Sequence, residues 1–289
     1  MPETTFTRYL AARHRQSTLA AHEQNLGYFR AWLAAQGLQE AKNASYADLL
    51  AYVRHERARG LDVSTLNLRL ASLRKYYAFL VEAGLLEVNP AAGLHIRGKV
   101  RRVIREPLAP AELESLYQAY SRRAKGDGAR PVDVRNTVLL GLMVYQGLHS
   151  GELGCLEVGH IRLDEGRVYI PGGARSNPRE LALSITQILV LDQYLHQVRP
   201  RFGPPGERVF QGNVRGHLQA MIPELQRIHP GIRNALHIRS SVILGWLKVH
   251  NKRQVQYMAG HKHIDSTERY SLQEMDSLTD QLAKHHPFG

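Results

Sequence analysis

A mainly α-helical protein in two units, the second carrying a small antiparallel sheet, is what the sequence predicts. Three observations predict it. Residues from about 17 to 95 repeat apolar positions at helical spacing between stop signals, a basic and aperiodic stretch follows, and helical patterns then resume around one pair of alternating segments joined by a Gly-Gly turn. A chain of 289 residues is also long for a single core. The expected boundaries are 1–95, a linker at 96–110, and 111–289.

The first expected helix is capped by Ser17, carries Leu19, Leu26, Phe29 and Leu33 on one face, and stops at Gly37. The second, in "NASYADLLAYVRHERARG", starts at Ser45, has Asp48 placed for a variant capping box, and ends at Gly60. The third, "STLNLRLASLRKYYAFLVEAG", buries a stripe of Leu66, Leu70, Leu73 and Tyr77 and leaves Arg69, Arg74 and Lys75 outside. "LLEVNP" closes the unit at Asn89-Pro90. In the stretch that follows, Arg97, Lys99, Arg101, Arg102 and Arg105 occur with no acid among them. That density of cations suits a strap along a phosphate backbone.

Beyond it, "PAELESLYQAY" reads as a helix, and "NTVLLGLMVYQGLHSGELGCLEV" as a buried apolar helix, a turn at Gly147 and another helix. "GRVYIPGGARSNPRELALS" reads as a β-hairpin. "ITQILVLDQYLHQV" is helical, a Gly/Pro loop occupies 203–206, and helical stretches run to the end.

Composition narrows the function. The formal charge of +12 attracts polyanions and suits nucleic acid. No run approaches the roughly 18–20 uncharged apolar residues of a membrane span, and "MPETTFTRYLAARHRQ" lacks the apolar centre of a secretory signal. The single cysteine, Cys155, fits a reducing cytosol and reads as a small core residue in "ELGCLEV". The expected location is the cytoplasm, at the nucleoid. Fifteen histidines make clusters such as His285-His286 easy to obtain; none has closed metal-site spacing, so neither a metal nor another cofactor is expected.

Four stretches, in order, resemble the tyrosine recombinases, the family of phage integrases and Xer-type enzymes. "YQGLHSGEL" is similar to that family's Gly-Leu-Arg-x-x-Glu-Leu stretch, "GGARSNPRELALS" to its hairpin, "LHIRSSVILGWL" to its His-x-x-Arg helix, and "MAGHKHIDSTERY" to its Gly-His…Tyr segment. The resemblance covers about residues 15–275. It implies a helical core-binding, SAM-like first domain and an α-rich catalytic second domain with a small sheet. It also implies a double-stranded DNA partner, and a homo-oligomer on DNA or a partner recombinase subunit; a C-terminal tail in this family commonly docks on a neighbouring protomer.

The chemistry the resemblance implies is transesterification at a DNA phosphodiester. A tyrosine attacks phosphorus to give a 3′-phosphotyrosyl bond and a free 5′-hydroxyl, without ATP or metal. Two arginines suit the nonbridging oxygens, histidines assist, and a hairpin lysine protonates the leaving oxygen. Tyr270 falls at the nucleophile position, nine residues after His261 at the third-motif position, and Arg239 at the second arginine. His149 stands where the first arginine belongs, Leu236 where the helix histidine belongs with His237 out of register, and Asn177 where the lysine belongs. Arg175 and Arg179 remain on the hairpin to reach DNA. A protonated His149 would replace part of the missing charge, with poorer geometry than an arginine's fork.

Losing one preorganised donor costs about 10²–10³ in rate. The expectation is therefore a site-directed DNA-binding member of the family with impaired cleavage, acting as an accessory or architectural partner. The alternatives are an active recombinase cutting through Tyr270, and a DNA-binding regulator that no longer recombines.

Overall fold

The computed structural model describes residues 2–13, 16–38, 40–97, 106–125, 128–174, 176–204 and 206–270. Lys99, Arg101, Arg102, Arg105, Arg175 and the tail from 271 lie outside the described residues. The chain divides into two compact units, Met1–Arg102 and Val103–Gly289.

The first unit is built from α1 (Pro2–Ala11), α2 (Gln16–Ala35), α3 (Tyr46–Ala58) and α4 (Val63–Glu82). The predicted stripe of Leu66, Leu70, Leu73 and Tyr77 is fully buried, each residue 0% exposed. It meets Leu26, Phe29 and Leu33 of α2 and Leu49 and Tyr52 of α3 in one core. Ser45 and Asp48 form the predicted reciprocal cap of α3: the Asp48 carboxylate accepts from the Ser45 N–H at 2.8 Å, and the Ser45 hydroxyl accepts from the Asp48 N–H at 3.3 Å. Such a cap is worth about 1 kcal/mol.

Two details differ from the sequence reading. α2 begins at Gln16, so Ser17 lies within the helix and not at its cap. The α1 helix was not expected at all; Phe6 and Leu10, one turn apart, are buried, and the Phe6 ring meets Tyr76 edge-on at 5.3 Å. So few apolar positions in ten residues carry little periodic signal.

The second unit contains α5 (Pro110–Ala124), α6 (Pro131–Val144), α7 (Ser150–Cys155), α8 (Ile185–Gln193), α9 (Val214–Ile228), α10 (Ala235–Val249) and α11 (Lys252–Ala259). Helix α6 is buried along almost its whole length, its apolar second half from Val138 to Val144 included, and packs against α5, α8, α9 and α10. The sheet has three strands in the order β1 (Ile161–Arg162), β2 (Arg167–Ile170), β3 (Arg179–Ala182), all antiparallel. The expected hairpin is β2–β3; the two-residue β1 adds an edge too short to show alternation. In the β2–β3 register Val168 faces Leu181 and Ile170 faces Arg179. An arginine therefore occupies an inward position opposite a buried isoleucine. Cys155, expected in the core, is exposed, because α7 turns Leu153 and the following Leu156 inward instead.

Candidate active site

The site is assembled where α6 ends, α7 begins, β3 starts and α11 stops. After α6 the chain turns at Gly147, whose φ of +60° and close approach to the Trp246 ring both exclude a side chain. His149 then caps α7. Its Nδ1 accepts from the Gly151 N–H at 3.0 Å and the Glu152 N–H at 3.2 Å, while the Glu152 carboxylate accepts from the His149 N–H at 3.1 Å. An imidazole thus fills the usual place of a serine or threonine in a capping box. A nitrogen that accepts two backbone N–H groups is not the one that carries the proton. Burial holds the His149 pKa below the ordinary imidazole value, with Arg239 and Arg179 opposing the upward pull of Glu152. His149 is accordingly neutral, and the protonated stand-in expected from the sequence is not what this cap supports.

Glu152 lies at the centre, with its side chain 3% exposed. Its Oε1 accepts from Arg179 Nη1 at 2.7 Å and its Oε2 from Arg239 Nη1 at 3.1 Å. Burial alone would raise its pKa; the Arg179 hydrogen bond and the two guanidinium charges outweigh it and hold the carboxyl below its usual range. The two arginines also reach the end of α11. Arg179 Nε donates to Met258 O at 2.8 Å, Arg239 Nη2 donates to Ala259 O at 2.7 Å, and Arg239 Nη1 donates to Gly147 O. The last carbonyls of a helix have no partner within it and carry its negative end, so two cations are well matched there.

Gly260 closes α11 at φ +70°, and a Cβ on it would overlap the Arg179 guanidinium. Glycine is required twice over, by backbone and by packing. The chain continues directly into His261. The Asn177 N–H donates to Gly260 O at 2.9 Å, tying the β2–β3 turn to this loop. His261 Nδ1 shares a 2.8 Å hydrogen bond with the Thr267 hydroxyl, which is fully buried. Its ring stacks on Tyr270, with centroids 5.9 Å apart and planes 8° from parallel. Tyr270 ends the described helical turn at 265–270 and packs against the small cluster of Ile243, Val255 and Ala259. It stands near enough to Arg239 to act electrostatically on the guanidinium, whose pKa burial lowers.

Burial pushes the His261 pKa down to about 4, and the charges of Arg239 and Arg179 push the same way against Glu152. The sign is definite: between an unfolded value of 6.5 and about 4, the unfolded chain takes a proton the folded site refuses. Stability is therefore expected to fall as pH drops through this window, and to gain nothing from His261 above it. Melting temperatures of the parent and His261→Gln, measured from pH 7.5 to 5, should diverge with the parent the more acid-sensitive. Superimposable profiles would contradict the assignment.

Of the residues singled out from the sequence, Tyr270, His261, Arg239 and His149 converge here, and Arg179 joins them from the hairpin. Leu236 is 63% exposed in the first turn of α10. His237 turns inward and shares a 2.9 Å hydrogen bond with Glu106 O, so it does not replace the missing histidine. In the first unit Arg97 is exposed. Arg69, Arg74 and Lys75 are not outside as expected. Arg69 lies between Glu56 at 3.2 Å and the Tyr28 ring at 4.0 Å, Arg74 donates to Leu94 O at 2.6 Å, and Lys75 Nζ is 3.3 Å from His22 Nε2. Buried Glu56 demands a cation, and Arg69 answers it. Two site residues escaped the sequence reading: Glu152, visible in the "GEL" of the motif, and Thr267, for which no sequence signal exists. Among the described residues no group of three or more His, Cys, Asp or Glu is placed to hold a metal, and no helix is long and apolar enough to cross a membrane.

The second unit thus brings two arginines, paired with Glu152 and holding the end of α11, into the same site as a stacked histidine and tyrosine. Residues 106–276 match the sequence pattern of the phage integrase family, and residues 4–84 match the phage integrase N-terminal SAM-like domain. The chain belongs to the phage integrase family. Its relatives include the tyrosine recombinase XerC of Salmonella typhi, 26% identical over 294 residues and covering 98% of this chain and 94% of the relative. XerC of Xylella fastidiosa strain 9a5c is 27% identical over 278 residues, with 93% and 90% covered. Among solved structures, XerH site-specific recombinase bound to palindromic difH in its post-cleavage complex matches with a TM-score of 0.72 at 17% identity, over 92% of this chain and 79% of that one. The Tn1549 transposon integrase in complex with a circular intermediate DNA matches at 0.65 and 14% identity, over 92% and 93%. These two likenesses show the fold.

Proposed function

We propose that this protein cuts and rejoins duplex DNA through a 3′-phosphotyrosyl intermediate at Tyr270, more slowly than a chain with the complete catalytic set. The observation that carries the reading is the convergence of Tyr270, His261 and Arg239 beside the buried Glu152–Arg179–Arg239 cluster. Tyr270 Oη would attack phosphorus while the bond to the 5′-oxygen breaks. The phenol loses its proton, the 5′-oxygen gains one, and a second 5′-hydroxyl later reverses the step. Arg239 would stabilise the developing charge on the phosphoryl oxygens; three of its five N–H donors are spent on Gly147, Glu152 and Ala259. His261 Nε2 remains to bond the phosphate, since Nδ1 is held by Thr267. The likeness to XerC tyrosine recombinases and the +12 charge support a DNA substrate.

A second reading, an architectural partner that binds DNA without cutting it, is favoured by positions 149, 177 and 236, none of which carries a cation. One experiment separates them. A bound site is selected from random duplexes and nicked beside the cleavage position, so that the released fragment escapes and the intermediate accumulates. An adduct resistant to denaturant is expected, and trypsin, cutting after Arg269, should place the nucleotide on the peptide that begins at Tyr270. Tight binding with no adduct would establish the architectural reading. Weak binding insensitive to salt would reject both.

A further inference from the structure

We infer that Arg179, the first residue of β3, is a positioning residue that gives the cluster beneath the phosphate site its net positive charge, in place of the arginine absent at position 149. This rests on the recombinase reading and deepens it. Its first support is burial. The Arg179 side chain is 0% exposed, on an inward register position opposite Ile170 where alternation calls for an apolar residue. A charge is costly to bury unless it is matched. Here the match is specific: Glu152 Oε1, the Met258 carbonyl, and a glycine at 260 that clears the space for the guanidinium.

The second support is the arithmetic of charge. Glu152 alone would neutralise Arg239 one to one, leaving nothing for a phosphate. With Arg179, two guanidiniums share one carboxylate and a single positive charge remains beneath His261 and Tyr270. His149 cannot provide that charge while its Nδ1 caps α7. The third support is an imbalance in hydrogen bonding. Arg179 Nη2 is buried without a partner among the described residues, an uncommon state for a guanidinium. Arg179 thus frees Arg239 from full neutralisation and fixes the loop that leads to the nucleophile; the contact with phosphate itself is left to Arg239.

The test compares the parent with Arg179→Met, Arg179→Lys and Arg179→Met/His149→Arg. The readouts are the adduct rate on the nicked duplex, the melting temperature, and the titration of His261 followed by NMR. Arg179→Met should slow adduct formation by about 10²-fold or more and raise the His261 pKa, because a nearby positive charge is gone. Adding His149→Arg should recover at least ten-fold of the rate and return the His261 titration towards the parent's. If Arg179 were only a strut, the double variant would regain melting temperature but neither rate nor titration, and the inference would be overturned. An Arg179→Met chain as fast as the parent overturns it as well. Should Arg179→Met fail to fold, Arg179→Lys decides: a preserved low His261 pKa with a rate loss smaller than ten-fold supports the role, and an unchanged rate with a raised pKa refutes it. If the parent itself forms no adduct, the cleavage reading fails separately, and the His261 titration still shows whether Arg179 supplies the charge.

Discussion

Tyr270→Phe is expected to bind the selected duplex as tightly as the parent and to form no denaturant-resistant adduct with it. Phenylalanine keeps the ring that stacks on His261 at 5.9 Å and packs against Ile243, Val255 and Ala259. The substitution therefore removes one oxygen and little packing, and the melting temperature should change by no more than about 1–2 °C, roughly half a kcal/mol at the 2–4 °C per kcal/mol typical of a domain this size. The intermediate cannot form without that oxygen, so the loss of adduct should be complete, not partial. Adduct surviving in Tyr270→Phe would move the nucleophile elsewhere. The nearest alternative by position is Tyr257 of α11, which is exposed but holds Glu180 through both its N–H and its carbonyl.

Glu152→Ala should be the most damaging single change to stability. It leaves two guanidiniums, with side chains 0% and 7% exposed, facing one another without a counter-ion. Breaking a buried pair in this way costs about 3–5 kcal/mol, and the reciprocal cap of α7 is lost as well, at about 1 kcal/mol. A fall in melting temperature of roughly 8–24 °C follows. Adduct formation should vanish with it, since the carbonyls at the end of α11 would no longer be held in register with Arg239. A loss below about 1 kcal/mol in denaturant titration would mean that the cluster is wet and weak, and the charge argument for Arg179 would fall with it.

Much of this architecture was legible in the residues. The stripe of α4, the cap at Ser45 and the pairing of β2 with β3 follow from spacing and side-chain chemistry alone. Elements with little periodicity were not: α1 offers few buried positions and β1 only two residues. Cations misled most. Arg69, Arg74 and Lys75 lie off the apolar stripe, which suggested solvent, yet long side chains curl back to buried carboxylates, carbonyls and rings. Arg179 reads from the hairpin as a cation able to reach DNA, yet its side chain is 0% exposed. A signal did exist, because Arg179 and Leu181 stand two apart on one strand and must share a face. Alternation therefore pointed the arginine inward, but the partner that makes this tolerable, Glu152, is 27 residues earlier in the chain, and nothing local announces it.

The bonds that gather the clamp span long stretches of chain: 92 residues from Gly147 to Arg239, 87 from Glu152 to Arg239, and 79 from Arg179 to Met258. Closures of that reach come late in folding. A chain still emerging from synthesis, or one opened by heat at the end of α11, holds its arginines apart from the loop they are meant to grip. Tyr270 follows last of all. The grip on the loop therefore exists only once the whole second unit has closed, and a half-made or half-unravelled copy has no assembled cluster around Tyr270.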